Sequence, residues 1–428
     1  MPKCWLALTL VPLLFSSAVG SGLAQTQDGT AQKPSSRDVE HTSILWLKNR
    51  SFLDATNSEL AKRGINISET LDDLDGVVVD VAAPDLQNML DENPEGFTGV
   101  DYVEPNGFVT LFPSECVPFS KPSSELVPSG VKRVGGPIEV GDGFSGKVWV
   151  IDSGIAQEYD GNELNVDRGS AVECTASAGC TNGPADDSFG HGTAVASIIG
   201  ARQDGSGLVG VSPGVKLIPV KIFFENGQVE WPAIYRAVAH LLRNAAPGDV
   251  VNISWGGEWD PSANGQPRQI ERKLRELADK GVKVAVAAGN YDALPASAYV
   301  QTVTPARAGA YRSPQADGVV MTVSAVDEND AFWPESGFGN GEPATAGGYH
   351  LGPPDFAEPG VAIPVLWPKA QMMACTGTSF ATPHLAGILV QGLPKQDGYA
   401  SSDIDDVVPG SVPPQHEQDM GDPIGVRQ

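Results

Sequence analysis

The chain has 428 residues, enough for two or three domains and a large core. Hydrophobic residues make up 41% and charged ones 19%, with 49 Gly and 34 Pro, which excludes collagen, a disulfide miniprotein and a wholly disordered chain. Against 28 Lys and Arg stand 53 Asp and Glu; this net charge of −25 would be repelled by nucleic acid or an anionic membrane surface, so neither is expected as a partner.

Lys3 precedes an apolar run from Trp5 to Phe15, followed by the small residues Ser16 to Gly20, and this pattern reads as a signal peptide over residues 1–20. The run is too short to span a bilayer, and no later stretch reaches roughly 18 uninterrupted apolar residues, so the mature protein is expected to be secreted and soluble in an oxidising environment. Cleavage after Gly20, or after Ala24, removes Cys4 and leaves Cys116, Cys174, Cys180 and Cys375. Four cysteines can pair in three ways. The short loop between Cys174 and Cys180 favours that pair; Cys116 with Cys375 then follows by elimination, and one or two free buried thiols are the other reading.

Residues 21–40 are polar and rich in Gly, Ser and Gln, a linker. From His41 the pattern is dense: a strand over Ser43 to Leu47, a helix over Asn57 to Arg63, a strand over Gly76 to Val81, a helix over Pro84 to Asp91 and a last strand over Val100 to Leu111. We read a β-α-β-β-α-β order with one of its four strands left unplaced, a small α+β domain over 41–112, followed by a Pro/Ser-rich connector over 113–130. Beyond it, short apolar strands alternate with amphipathic helices, the signature of a parallel sheet covered on both faces. Strands fall at Lys147 to Ile151, Leu217 to Phe223, Val250 to Ser254, Val282 to Ala288 and Val319 to Val323. One helix runs from about Trp231 to Asn244, with Ile234, Val238, Leu241 and Leu242 on one face, and another from about Ile270 to Lys280. This domain is bounded at 131–393; residues 394–428 are acidic and rich in Pro and Gly, and read as a flexible tail.

Three segments place a polar residue where a strand ends or a buried helix begins. Asp152 closes Val150-Ile151-Asp152-Ser153-Gly154, His191 opens Gly190-His191-Gly192-Thr193-Ala194-Val195-Ala196-Ser197, and Ser379 sits in Gly377-Thr378-Ser379-Phe380-Ala381-Thr382-Pro383-His384. Each alone has an ordinary structural reading as a cap or packed residue. Together they supply a nucleophile, a base and a group that orients the base, which a serine hydroxyl needs at neutral pH. The order Asp, His, Ser, at separations of 39 and 188 residues, resembles that of the subtilisin-like serine proteases.

The resemblance extends through most of Val131 to Gln391. Asn252-Ile253-Ser254-Trp255-Gly256-Gly257 is similar to the family's strand that pairs with substrate and walls the pocket for the residue before the scissile bond. Ala287-Ala288-Gly289-Asn290 is similar to its opposite wall, ending in the oxyanion-hole asparagine. The resemblance implies an α/β fold, a subtilisin-like three-layer parallel sheet with helices on both faces, preceded by a small α+β (ferredoxin-like) inhibitor-type propeptide domain. It implies catalysis by Asp152, His191, Ser379 and Asn290, substrate contacts from Ser254, Trp255, Gly256, Ala288 and Gly289, and a packing role for His384. Protein or peptide substrates are expected, with large apolar residues preferred before the scissile bond. A monomer is expected, inhibited by its own propeptide, and self-cleavage is expected near Phe112.

No cofactor is required for the chemistry. A structural Ca²⁺ is implied at Ala201 to Val211, with Asp204 as side-chain ligand and Glu163 or Asp160 as the carboxylate from the loop after Asp152. Ala194 stands where many relatives carry a second histidine, and Trp255 where a smaller residue is common. Only 49 residues follow Ser379, without the helices that usually finish this fold. A metal-dependent hydrolase lacks ligands, with six histidines and no His-Glu-x-x-His pair. The expectation is a secreted, self-processing serine endopeptidase; the rival is an inactive binding or inhibitory protein on the same scaffold.

Overall fold

The computed structural model describes residues 39, 41–111, 115–140, 144–258, 268–290, 303–338, 354–400 and 423–426. The expected signal peptide, all of the linker but residues 39, Phe112 and most of the tail lie outside the described residues.

Two sheets organise these residues. The first has the order Ile67–Leu71, Gly76–Val79, Ser43–Leu47, Val100–Pro105, antiparallel throughout, with helices Leu53–Lys62 and Ala83–Glu92 on one face. Side chains alternate across it. Leu45, Leu47, Val77 and Val79 pack under those helices with Leu60 and Leu86, whereas Ile44, Trp46 and Val78 point the other way and join the core of the second sheet. The last strand expected in this region is broken at Asn106–Gly107, behind Pro105. Its second piece, Phe108–Thr110, leaves the first sheet and pairs antiparallel with Gln228–Glu230.

The second sheet runs Lys395–Tyr399, Pro423–Val426, Phe356–Pro359, Val319–Val326, Lys283–Ala287, Val250–Ile253, Val148–Asp152, Leu217–Lys221, Val172–Thr175, Gly179–Asn182. Along this order the pairings between its two edge hairpins are parallel, and the short strand Tyr311–Arg312 adds antiparallel to Val319–Val326. Trp149 and Ile151 face helices Trp231–Asn244 and Gln269–Asp279, and their neighbours Val148 and Val150 face helices His191–Gly200 and Thr378–Gln391. Strands buried on both faces therefore read as continuous apolar runs. No described helix is long and apolar enough to cross a membrane.

The expected flexible tail needs correction. Pro423–Val426 extends the sheet beside Phe356–Pro359, with Ala357 opposite Ile424, and Lys395–Tyr399 pairs antiparallel with it. Ile424 is fully buried against Val326 and Ala357. A single apolar anchor in a four-residue strand gives no periodic signal, so composition alone hid it.

Candidate active site

Asp152 is the last residue of its strand, at the carboxyl edge of the sheet, and is fully buried. His191 opens its helix directly after Gly190, whose φ of +114° suits glycine and whose missing Cβ makes room for the Trp367 ring. The two side chains meet: His191 Nδ1 lies 2.9 Å from Asp152 Oδ1 and 3.0 Å from Oδ2. With Nδ1–H donated to the carboxylate, Nε2 becomes the basic nitrogen; it is buried and makes no hydrogen bond to the described residues. Burial alone would make the ring less basic. The Asp152 charge and hydrogen bond outweigh it and hold the His191 pKa above its ordinary value.

Ser379 is the second residue of helix Thr378–Gln391, which follows strand Gln371–Thr376 through Gly377 at φ +147°. Its Oγ donates to the Ser254 carbonyl at 2.8 Å, while Ser254 Oγ donates to the Ser379 carbonyl at 2.9 Å. Ser379 is thus not hydrogen-bonded to His191; the imidazole packs on Phe380 next to it, centroids 5.6 Å apart. Attack on a carbonyl requires the hydroxyl to exchange Ser254 O for His191 Nε2. Asn290 Oδ1 accepts from Thr378 N at 3.0 Å and Thr378 Oγ1 at 2.8 Å. That orientation leaves its amide nitrogen to donate beside the N-terminus of the serine helix, where an oxyanion would be stabilised.

Residues 144–417 match the model of the subtilase family. The chain belongs to this family.

Subtilisin amylosacchariticus from Bacillus subtilis subsp. amylosacchariticus is 30% identical over 286 residues, which cover 66% of this chain and 65% of that protein. Subtilisin from Bacillus pumilus is 30% identical over the same length, covering 90% of it. The chain thus spans about 65% of the length of several curated subtilisins it matches. The crystal structure of an epidermin leader peptide processing serine protease from Staphylococcus aureus shares the fold, with a TM-score of 0.57 at 17% identity, over 82% of this chain and 88% of that one.

Within this subtilase, the expected pocket walls have definite places. Ser254, at the end of strand Val250–Ile253, is held by Asn252 Nδ2 at 2.9 Å. The Trp255 ring corrects its expected position in the cleft: it is fully buried, its Nε1 donates to the Ile151 carbonyl at 2.8 Å, and it packs edge-on to Phe223. Gly256 and Gly289 both abut Val303, since a Cβ at either would fall 2.9 Å or 3.2 Å from a Val303 methyl. Val303 is fully buried with Ala288, so it fills the space between the two walls. Sequence reading passed over Val303 because its contacts lie about 14 to 47 residues away in the chain.

Asp187 was also missed. Its buried carboxylate accepts from Ser153 Oγ at 2.9 Å, Phe189 N at 3.0 Å, Gly190 N at 2.8 Å, and Thr193 N and Oγ1 at 2.9 and 2.6 Å. One side chain thereby caps the histidine helix and ties it to the residue after Asp152. An Asp four residues before the helix's first residue was the available signal.

His384 is fully buried, with Nδ1 2.9 Å from the Phe380 carbonyl, and burial pushes its pKa down to about 4. Both disulfides join the expected partners, Cys174 to Cys180 and Cys116 to Cys375. Among the described residues no group of three His, Cys, Asp or Glu side chains is placed to hold a metal. Glu163 Oε2 is buried without a hydrogen bond, and burial, then Asp204, pushes its carboxyl above the usual range. Asp160 is instead paired with Arg168.

Proposed function

We propose that this subtilase is a secreted serine endopeptidase made as a self-processing zymogen. The observation that carries the reading is the Asp152–His191 pair, whose Nε2 is unbonded, set beside a serine that opens a helix next to the Asn290 amide. Ser379 Oγ would attack the peptide carbonyl as His191 Nε2 takes its proton; His191⁺ would then protonate the leaving amine, and water would hydrolyse the acyl-enzyme by the same route. Asn290 Nδ2 and the Ser379 N–H would donate to the oxyanion. Substrates are proteins or peptides. Val303 argues for a small residue before the scissile bond rather than the large apolar one suggested by resemblance.

The N-terminal α+β unit acts, in this reading, as the intramolecular inhibitor. Support comes from Phe108–Thr110 pairing with Gln228–Glu230, with Leu111 N bonded to the Gly227 carbonyl at 2.9 Å. Self-cleavage then falls within the link from Leu111 to Glu115, and of Phe112, Pro113 and Ser114 the last best suits a pocket narrowed by valine. Calcium at Glu163 and Asp204 would have a structural role, since a cation relieves the mutual repulsion of two carboxylates.

The test expresses residues 25–428 beside a Ser379→Ala copy and follows both by gel, N-terminal sequencing and a serine-directed fluorophosphonate probe. Only the wild type should shorten and take up label. If both fold but stay whole and unlabelled, the binding-protein reading replaces the enzyme.

A further inference from the structure

Strand Gln371–Thr376 leads directly into Gly377 and the candidate nucleophile, and among the described residues both its edges are taken. Ile363–Trp367 covers one, and Glu115–Pro118 the other, antiparallel, with Glu115 opposite Thr376, Cys116 opposite Cys375, Val117 opposite Ala374 and Pro118 opposite Met373. A disulfide locks the Cys116–Cys375 pair, four residues before Ser379. Four residues upstream of Glu115 the chain belongs to the other half of the cleft: Phe108–Thr110 and Leu111 lie along Gly227–Glu230. With self-cleavage between these two described stretches, as the protease reading has it, Phe108–Leu111 lies on the side of the acyl group and Glu115–Pro118, paired with the strand that leads into Ser379, on the side of the leaving group.

Both halves are paired through their backbones, and they differ in burial and in covalent attachment. The upstream half is fixed by backbone hydrogen bonds and by burial of Val109 and Leu111. Downstream, Glu115, Val117 and Pro118 are exposed, Val117 by 60%, so burial holds this strand weakly. Besides its backbone pairing, the Cys116–Cys375 bond ties the strand covalently, and a tethered strand competes at millimolar or higher effective concentration.

We propose that the Cys116–Cys375 bond keeps Glu115–Pro118 on the leaving-group side of the cleft after self-cleavage, so that the oxidised enzyme disfavours substrates with several residues beyond the scissile bond. The proposal rests on the protease reading above and adds its substrate class: peptides cut near their carboxyl ends. A longer substrate must displace a strand that cannot diffuse away.

The experiment uses the self-processed full chain and two peptides identical up to the scissile bond, one ending in p-nitroanilide and the other continuing for six residues. Wild type is compared with Cys116→Ser/Cys375→Ser, and with wild type in which a phosphine reductant has opened this disulfide, verified by alkylation and mass spectrometry; the reduced wild type serves if the double variant fails to fold. Opening the tether should raise the ratio of kcat/KM for the long peptide over the anilide at least tenfold. A ratio within twofold of wild type overturns the tether while leaving the protease intact. Wild type that takes up no fluorophosphonate and cuts neither peptide overturns both.

Discussion

Glu104→Ala should strongly loosen the N-terminal unit on its docking face. Glu104 closes the first sheet's contribution to the interface and is 2% exposed. Its Oε1 accepts from the backbone N of Gln269 at 2.7 Å and its Oε2 from Tyr235 OH at 2.6 Å, with Tyr102 OH farther off at 3.2 Å. Helix Gln269–Asp279 has no side-chain cap of its own, because Arg268 stands at the N-cap, so this carboxylate serves as its cap from the other unit. A hydrogen bond to a charged group contributes about 1.5–3 kcal/mol, and truncation strands two buried donors, so we expect a loss of about 4 kcal/mol, roughly a thousandfold in docking. Glu104→Gln keeps an acceptor for Gln269 N and should lose about half as much. The exposed pair Arg272–Asp101 provides the comparison: Asp101→Ala should cost less than about 1 kcal/mol. Hydrogen exchange on the uncleavable Ser379→Ala chain, read over residues 43–105 and 269–279, gives the opening free energy. A change below about 1 kcal/mol for Glu104→Ala would refute the cap.

Three further outcomes follow from the site. Because His191 must be neutral to act as base and its pKa is held above 6.5, kcat/KM should fall as pH drops through a midpoint above that value; a midpoint below 6 contradicts the Asp152 contact. Val303→Gly should raise the preference for Phe over Ala before the scissile bond at least tenfold in paired peptides, and an unchanged ratio means the pocket is bounded elsewhere. His384, held neutral with a pKa of about 4 against 6.5, leaves the unfolded chain to take up its proton first as pH falls, so stability present above 6.5 is lost towards 4, by about 3 kcal/mol. The gap in urea midpoint between wild type and His384→Gln should therefore change between pH 7 and pH 4.5, the wild type losing stability that the variant keeps, and parallel pH slopes in the two proteins would refute the assignment.

What could be read from the residues follows physical rules. Val148–Asp152 and Val319–Val326 were legible because strands covered on both faces are unbroken apolar runs, and helix Trp231–Asn244 because Ile234, Val238 and Leu241 recur at helical spacing. Ile67–Leu71 carries Ser, Glu and Thr between its apolar ends and offered no such run. The break that frees Phe108–Thr110 was written in Pro105 and Gly107, yet only a partner strand more than a hundred residues away shows where the freed piece goes. The roles of Asp187 and Val303, and the buried direction of the Trp255 ring, likewise depend on contacts that local pattern does not encode.

Glu104 and Cys116 divide the control of one cleft between two kinds of bond. Glu104 helps hold the unit whose last strand covers the acyl side; nothing covalent retains that strand once the link from Leu111 to Glu115 is cut. Cys116 holds the leaving side, and loss of the N-terminal unit leaves its disulfide untouched. The two perturbations share no partner, so their effects should add. Glu104→Ala should speed release of the N-terminal fragment without moving the ratio of long to short substrates. Loss of the Cys116–Cys375 bond should move that ratio without changing the protection of helix Gln269–Asp279. If either change carried both effects, the segment would act as one cooperative strap, and cleavage alone would suffice to open both halves of the cleft.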